Sequence, residues 1–124
     1  MERIAVSSSL KFTDQIRKAL SDFQASGIEG VFPNLDSGLS KDDLTSEVMA
    51  KLEADHFQAI DSSDALYVID PEGYVGTLVN VEIGYAKGKD KPVFFSERTG
   101  DLGLDALATD FIPLTELARF VELK

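Results

Sequence analysis

Short continuous apolar runs alternate along this chain with longer stretches in which apolar residues recur every three or four positions. The clearest runs are Arg3-Ile-Ala-Val-Ser7, Ala65-Leu-Tyr-Val-Ile69 and Val93-Phe-Phe95. Runs this short, rich in β-branched and aromatic residues and lacking polar alternation, predict strands buried on both faces, as in a parallel sheet. Ile28 to Phe32 gives a weaker second strand, ended by Pro33-Asn34. Phe111-Ile-Pro-Leu114 gives a minimal fifth strand, placed at an edge because Pro113 has no amide hydrogen to donate.

Helical periodicity fills the intervals. Thr13 reads as an N-cap, Ile16, Ala19, Leu20 and Phe23 as a buried stripe, and Gly27 as the stop. Ser40 and Asp43 have capping spacing, and the helix after them, to about Ile60, packs through Leu44, Val48, Leu52, Phe57 and Ile60. A third helix is predicted from Thr77 to Gly88, with Val79, Ile83 and Ala86 on one face. Arg98 to Thr109 shows no regular period, and Thr115 caps a last helix burying Leu117, Phe120 and Val121. Residues 65–95 thus read strand, loop, helix, strand: a βαβ unit, whose two strands must be parallel. The whole alternation predicts one domain over residues 1–124, an α/β three-layer α/β/α sandwich. Its five-stranded parallel sheet is expected in the order 2-1-3-4-5.

In such a sheet ligands bind where strand carboxyl ends and helix N-termini converge, so the residues placed there become the candidates. Ser7, Ser8 and Ser9 follow the first strand and read as a phosphate- or ribose-holding loop, or as a turn and helix cap; Phe12 lines the crevice or packs on the helix. Asp36 follows the second strand. Asp70 ends the third, and Tyr74 in the loop beyond it serves as a wall for a planar base or packs over its own loop. Ser96-Glu97 ends the fourth strand on the same edge. Glu82, early in the third helix, reads from spacing alone as a solvated carboxylate near a helix N-terminus or as a group facing the ligand. Tyr85, three positions on, is placed to steer it, whereas Asn80 falls on another face. His56, the single histidine, lies at the edge of the second helix's apolar stripe. It is either structural or an acid–base group working near neutral pH.

Tyr67-Val-Ile-Asp-Pro-Glu-Gly-Tyr-Val-Gly-Thr77, then Glu82-Ile-Gly-Tyr-Ala86 and Gly88-Lys-Asp-Lys-Pro-Val93, resembles the nucleoside 2-deoxyribosyltransferase-like superfamily. The group includes enzymes that move 2-deoxyribose between bases and hydrolases of deoxynucleoside monophosphates. The resemblance runs from about Asp55 to Glu97 and is architectural elsewhere. It implies that Glu82 is the nucleophile taking the sugar at its anomeric carbon, with Gly76 and Thr77 in the substrate-binding turn. A carboxylate suits this chemistry, since breaking an N-glycosidic bond builds oxocarbenium character that it can stabilise or capture. No metal or other cofactor is needed for that step. Gly84 is expected to let the helix approach a neighbouring backbone. The chain departs from the family pattern in three places. Gly76 stands where the family has an acid, His56 occupies the slot of an aspartate in His56-Phe-Gln-Ala-Ile60, and the first strand runs Ile4-Ala-Val-Ser-Ser-Ser9 without the family's tyrosine and glycine. Family members assemble as dimers or rings, so a homo-oligomer is implied.

Composition narrows the choice. The chain has no cysteine, which excludes disulfides, thiol nucleophiles and thiolate metal sites. A net charge of −10 disfavours DNA or RNA polymers but leaves room for a small nucleoside or nucleotide held by loop amides. With no apolar leader or run long enough to span a bilayer, no membrane partner is expected and the cytoplasm is the default location. The function expected is N-glycosidic cleavage or 2-deoxyribosyl transfer. Its rivals are a non-catalytic nucleotide-binding or sensor domain of the same fold and an oligomer-forming scaffold without a small ligand.

Overall fold

The apolar runs form five parallel strands in the computed structural model, which describes residues 1–123. Strand β1 is Arg3–Ser7, β2 Glu29–Val31, β3 Ala65–Val68, β4 Val93–Phe95 and β5 Asp110–Phe111. They lie in the expected order, β2-β1-β3-β4-β5, with Ile4 beside Ala65 and Leu66 beside Val93 setting the central register.

Both faces of the sheet are covered, which is why the runs carry no polar alternation. On one side Ile4, Val6, Tyr67, Ile69 and Phe94 pack against Ile16, Ala19 and Phe23 of α1 (Thr13–Ala25) and against Leu117 and Phe120. On the other, Ala5, Leu66, Val68, Val93 and Phe95 meet Ala59 and Ile60 of α2 (Ser46–Asp61) and Val79, Ile83 and Ala86 of α3 (Thr77–Gly88). Period two along each strand therefore sorts its residues into two cores. Among the described residues, no helix is long and apolar enough to cross a membrane.

Several element ends differ from the sequence reading, each for a local reason. Thr13 is the first residue of α1 rather than its cap, and its hydroxyl donates to the Leu10 carbonyl at 2.5 Å. A 3-10 turn, Leu10–Phe12, carries the chain out of β1, and Ser9 caps that turn instead. Leu20 is only half-buried. The Ser40–Asp43 pattern likewise closes a 3-10 turn, the Asp43 carboxylate accepting the Ser40 amide (2.8 Å) and hydroxyl (3.0 Å). The long helix α2 starts only at Ser46, where the Thr45 hydroxyl accepts the Val48 amide at 3.2 Å. Leu44 falls between the two and is exposed. Within the stretch read as irregular, Leu102–Leu107 forms a six-residue helix, α4, capped by Asp101; it is too short to show a period.

The carboxyl-terminal segment Leu114–Glu122 is 3-10 structure broken by a kink at Glu116 (φ −126°, ψ 27°), not an α-helix, and no side chain caps it. In the turns after the kink, Leu117 and Phe120, three residues apart, pack into the core, while Val121 is turned out to 52% exposure. The α-helical expectation had placed Val121 inside.

Candidate active site

A cavity of about 560 Å³ opens at the carboxyl ends of β1 and β2, within the size range of small-molecule sites. Its walls come from the loop after β1, the segment from Phe32 to Leu44, the first half of α2 and the first turns of α3. Parallel pairing puts all of these on one edge, as the strand–helix alternation requires.

Glu82 lies at this cavity and is 4% exposed. Helix α3 starts after Gly76, whose extended backbone (φ −74°, ψ 169°) turns the chain from the loop into the helix. The stripe of Val79, Ile83 and Ala86 then fixes its rotation. Ser7 Oγ, at the end of β1, donates to Glu82 Oε1 at 2.5 Å. From α2, Glu53 lines the same wall with its Oε1 buried and unpartnered among the described residues, and His56 Nδ1 stands 3.7 Å from Glu82 Oε1, beyond hydrogen-bond length.

Burial first, and the Glu53 carboxyl second, push the Glu82 pKa up from 4.5 to about 8, while the Ser7 hydroxyl opposes them. Burial also holds His56 below its usual 6.5, with Asp55 opposing. Both shifts favour uncharged forms, so the 3.7 Å approach is a contact between neutral groups near pH 7 rather than an ion pair. The imidazole is held edge-on against the Phe32 ring, centroids 4.9 Å apart.

Among the other expected site residues, Ser8, Ser9, Gly76 and Thr77 line the cavity, and Ser8 Oγ is tied to the Ile69 carbonyl at 2.8 Å. Ser7 touches the site through Glu82. Phe12 and Tyr74 are not in its wall. They meet edge to face with centroids 6.0 Å apart, and the Lys11 ammonium sits 3.3 Å above the Tyr74 ring, so they clasp the loops after β1 and β3 together.

Asp70 has a different task from the one its position suggested. It is fully buried, accepts Ser96 Oγ at 2.8 Å and the Glu97 amide at 3.1 Å, and so ties the end of β3 to that of β4. Ser96, expected on the same edge, belongs to this tie and does not line the cavity. Tyr85 turns from Glu82 towards α2, stacking on Phe57 at 4.3 Å and donating to the Asp61 carboxylate at 2.9 Å. Asp36 is exposed and paired with Arg17. Gly84 brings no backbone close: a Cβ there would meet nothing within 4 Å.

Sequence reasoning missed Glu53, Phe32 and Lys41, all in the cavity wall. The signal for Glu53 was its position three residues before His56, which puts both on one helix face. Lys41 and Phe32 carried no comparable sign. Among the described residues, no group of three or more His, Asp or Glu is arranged to hold a metal ion.

The chain matches no protein-family model and no curated protein. Among solved structures it is similar to the CMP N-glycosidase BcmB of Clostridium botulinum, with a TM-score of 0.57 and 15% sequence identity over 99% of this chain and 100% of that one. At that identity the likeness is one of fold, and it extends over essentially the whole of both chains.

Proposed function

We propose that this protein cleaves the N-glycosidic bond of a small nucleoside or nucleotide, with Glu82 taking the sugar at its anomeric carbon. The observation that carries the reading is a carboxyl group 4% exposed, fastened by Ser7 at the wall of a cavity of about 560 Å³. A buried carboxyl beside a cavity of nucleoside size is matched to an oxocarbenium-like sugar, which a low-dielectric wall makes it more effective at stabilising. The Ser9 and Thr77 hydroxyls in the wall suit sugar or phosphate oxygens, and the Ser8 hydroxyl, which donates to the Ile69 carbonyl, can still accept from a sugar hydroxyl. The fold likeness to a CMP N-glycosidase supports the same choice. Passing the sugar to water gives hydrolysis and passing it to a second base gives 2-deoxyribosyl transfer. His56, neutral near pH 7, orients the carboxyl or the leaving base. Homo-oligomerisation belongs to this reading and is measured by sedimentation equilibrium.

The test is chromatography of free base after incubation with ribo- and deoxyribonucleosides and their 5′-monophosphates, with and without an acceptor base. Release should fall by at least about 10³-fold in Glu82→Ala, with the circular dichroism spectrum unchanged. Full turnover in that variant would refute the assignment.

A second reading, a non-catalytic nucleotide-binding domain, is favoured by the raised proton affinity of Glu82, since a protonated carboxyl is a hydrogen-bond donor and a poor nucleophile. It requires calorimetric binding without base release and an affinity unchanged by Glu82→Gln.

A further inference from the structure

A nucleophile that keeps its proton near neutral pH needs a place to put it, and the cavity wall supplies one. Glu53 and Glu82 reach the same cavity wall from different helices, and the Glu53 carboxyl raises the proton affinity of Glu82. Glu53 Oε1 is sealed from solvent and meets no donor among the described residues. Two ionised carboxylates so placed repel each other and leave that oxygen unpaired. A single proton between them removes both costs.

We infer that Glu53 and Glu82 work as one carboxyl pair holding a single proton, with Glu53 a positioning residue that keeps the proton while Glu82 engages the sugar. This rests on the glycosidase reading for its chemistry, though the pair exists without it. In the attacking state the O–H bond on Glu82 is broken and that on Glu53 formed. The Glu82 carboxylate bonds to the anomeric carbon as the bond from that carbon to the base breaks, and the base leaves with the bonding electrons as an anion. When water or an acceptor base takes the sugar from Glu82, the C–O bond to Glu82 breaks. The proton lost by the incoming water or N–H balances the one the departed base gains from solvent, and the proton on Glu53 returns to be shared with the regenerated Glu82 carboxylate. Displacement at the anomeric carbon sends the leaving group away from the nucleophile, so Glu53, beside Glu82 in the wall, is not assigned to protonate the base.

The groups facing the pair are few. Helix α2 brings Glu53 and His56, β1 brings the Ser7 hydroxyl, and α3 brings Glu82 itself; Lys41, from the loop before α2, lines the same cavity. Asp55 acts on His56 and is itself bonded to Asn34 and Lys51.

The test is a pH titration of side-chain carboxyl carbons by NMR, without ligand, in the wild type, Glu53→Gln, Glu53→Asp and Glu82→Gln. The Glu82→Gln variant assigns the Glu82 signal. In Glu53→Gln the Glu82 midpoint should fall by at least about one pH unit, a tenfold change in proton affinity. Glu53→Asp, which keeps an acid on a shorter reach, should fall between and covers the case in which the amide unsettles α2. The acid limb of kcat/KM for any N-glycoside the wild type cleaves should move by the same amount. A Glu82 midpoint unmoved in both Glu53 variants overturns the pair. If the wild type releases no base from any N-glycoside, the glycosidase reading fails and the titration still reports on the pair.

Discussion

Glu82 and Asp70 are buried carboxyl groups of different kinds, and pH separates them. Burial raises Glu82 from 4.5 to about 8 and Asp70 from 3.8 to about 6. Each binds its proton more tightly folded than unfolded, so each stabilises the fold below its unfolded value and loses that contribution as pH rises through its folded value. Chemical denaturation should therefore show stability declining from about pH 5 to about pH 8, with Glu82→Gln flattening the upper part of the slope and raising stability at pH 8. Asp64 works in the opposite sense. It accepts the Glu2 and Arg3 amides, which hold it below the usual carboxylate range, so its contribution is lost only as pH falls into the acid range. Asp70 is the test of the tie between β3 and β4. Asp70→Ala strands the Ser96 hydroxyl and the Glu97 amide and should cost about 1–3 kcal/mol by urea denaturation. Asp70→Asn, which still accepts both bonds, should cost much less near pH 7.

The elements that hold the site depend on short turns. Helix α2 carries Glu53 and His56, and its first turn is held by the Thr45 hydroxyl on the Val48 amide. Thr45→Ala should lower stability by about 1 kcal/mol in thermal or chemical unfolding. The loop between β3 and α3 turns at Gly73, where φ is +78° and a Cβ would come within 2.8 Å of the Thr99 carbonyl oxygen. Gly73→Ala should cost about 1–3 kcal/mol, seen as a lower melting temperature, because both the backbone region and the contact are unfavourable. Local signals mark such turns well and their partners poorly. The Ser40–Asp43 and Thr13 patterns were genuine end signals attached to neighbouring turns, because a 3-10 turn and an α-helix share the same opening residues. Val121 shows the reverse fault, a residue correctly placed in a helical segment whose kink at Glu116 and 3-10 turns gave it a different face.

Across the whole molecule, Phe120 joins the carboxyl-terminal segment to the sheet, meeting Phe23 and Tyr67 at 5.4 Å and Phe94 at 4.9 Å. Phe120→Ala should destabilise by about 3–5 kcal/mol, a loss larger than any of the turn variants and readable in the same denaturation series. Strand order and the two-sided burial were legible in the chain because apolar period is a local property that every strand and helix repeats. The place of Glu82 near the strands' carboxyl edge was legible too, since a helix start after a buried strand falls there in a parallel sheet, but spacing left open whether the side chain faced solvent or the crevice. Glu53 was not: a glutamate on a helix looks the same whether it faces water or another carboxyl. Asp70 and Tyr85 were placed on the right elements and given the wrong partners, for a side chain's direction depends on what packs across from it. The sequence by itself thus determined the strands, their order in the sheet and the edge where the cavity opens, all set by spacing along the chain. Only the tertiary structure decided which carboxyls meet, which are sealed from water and which merely brace the loops, because those outcomes come from residues 29 positions apart, Glu53 and Glu82, being packed into one wall.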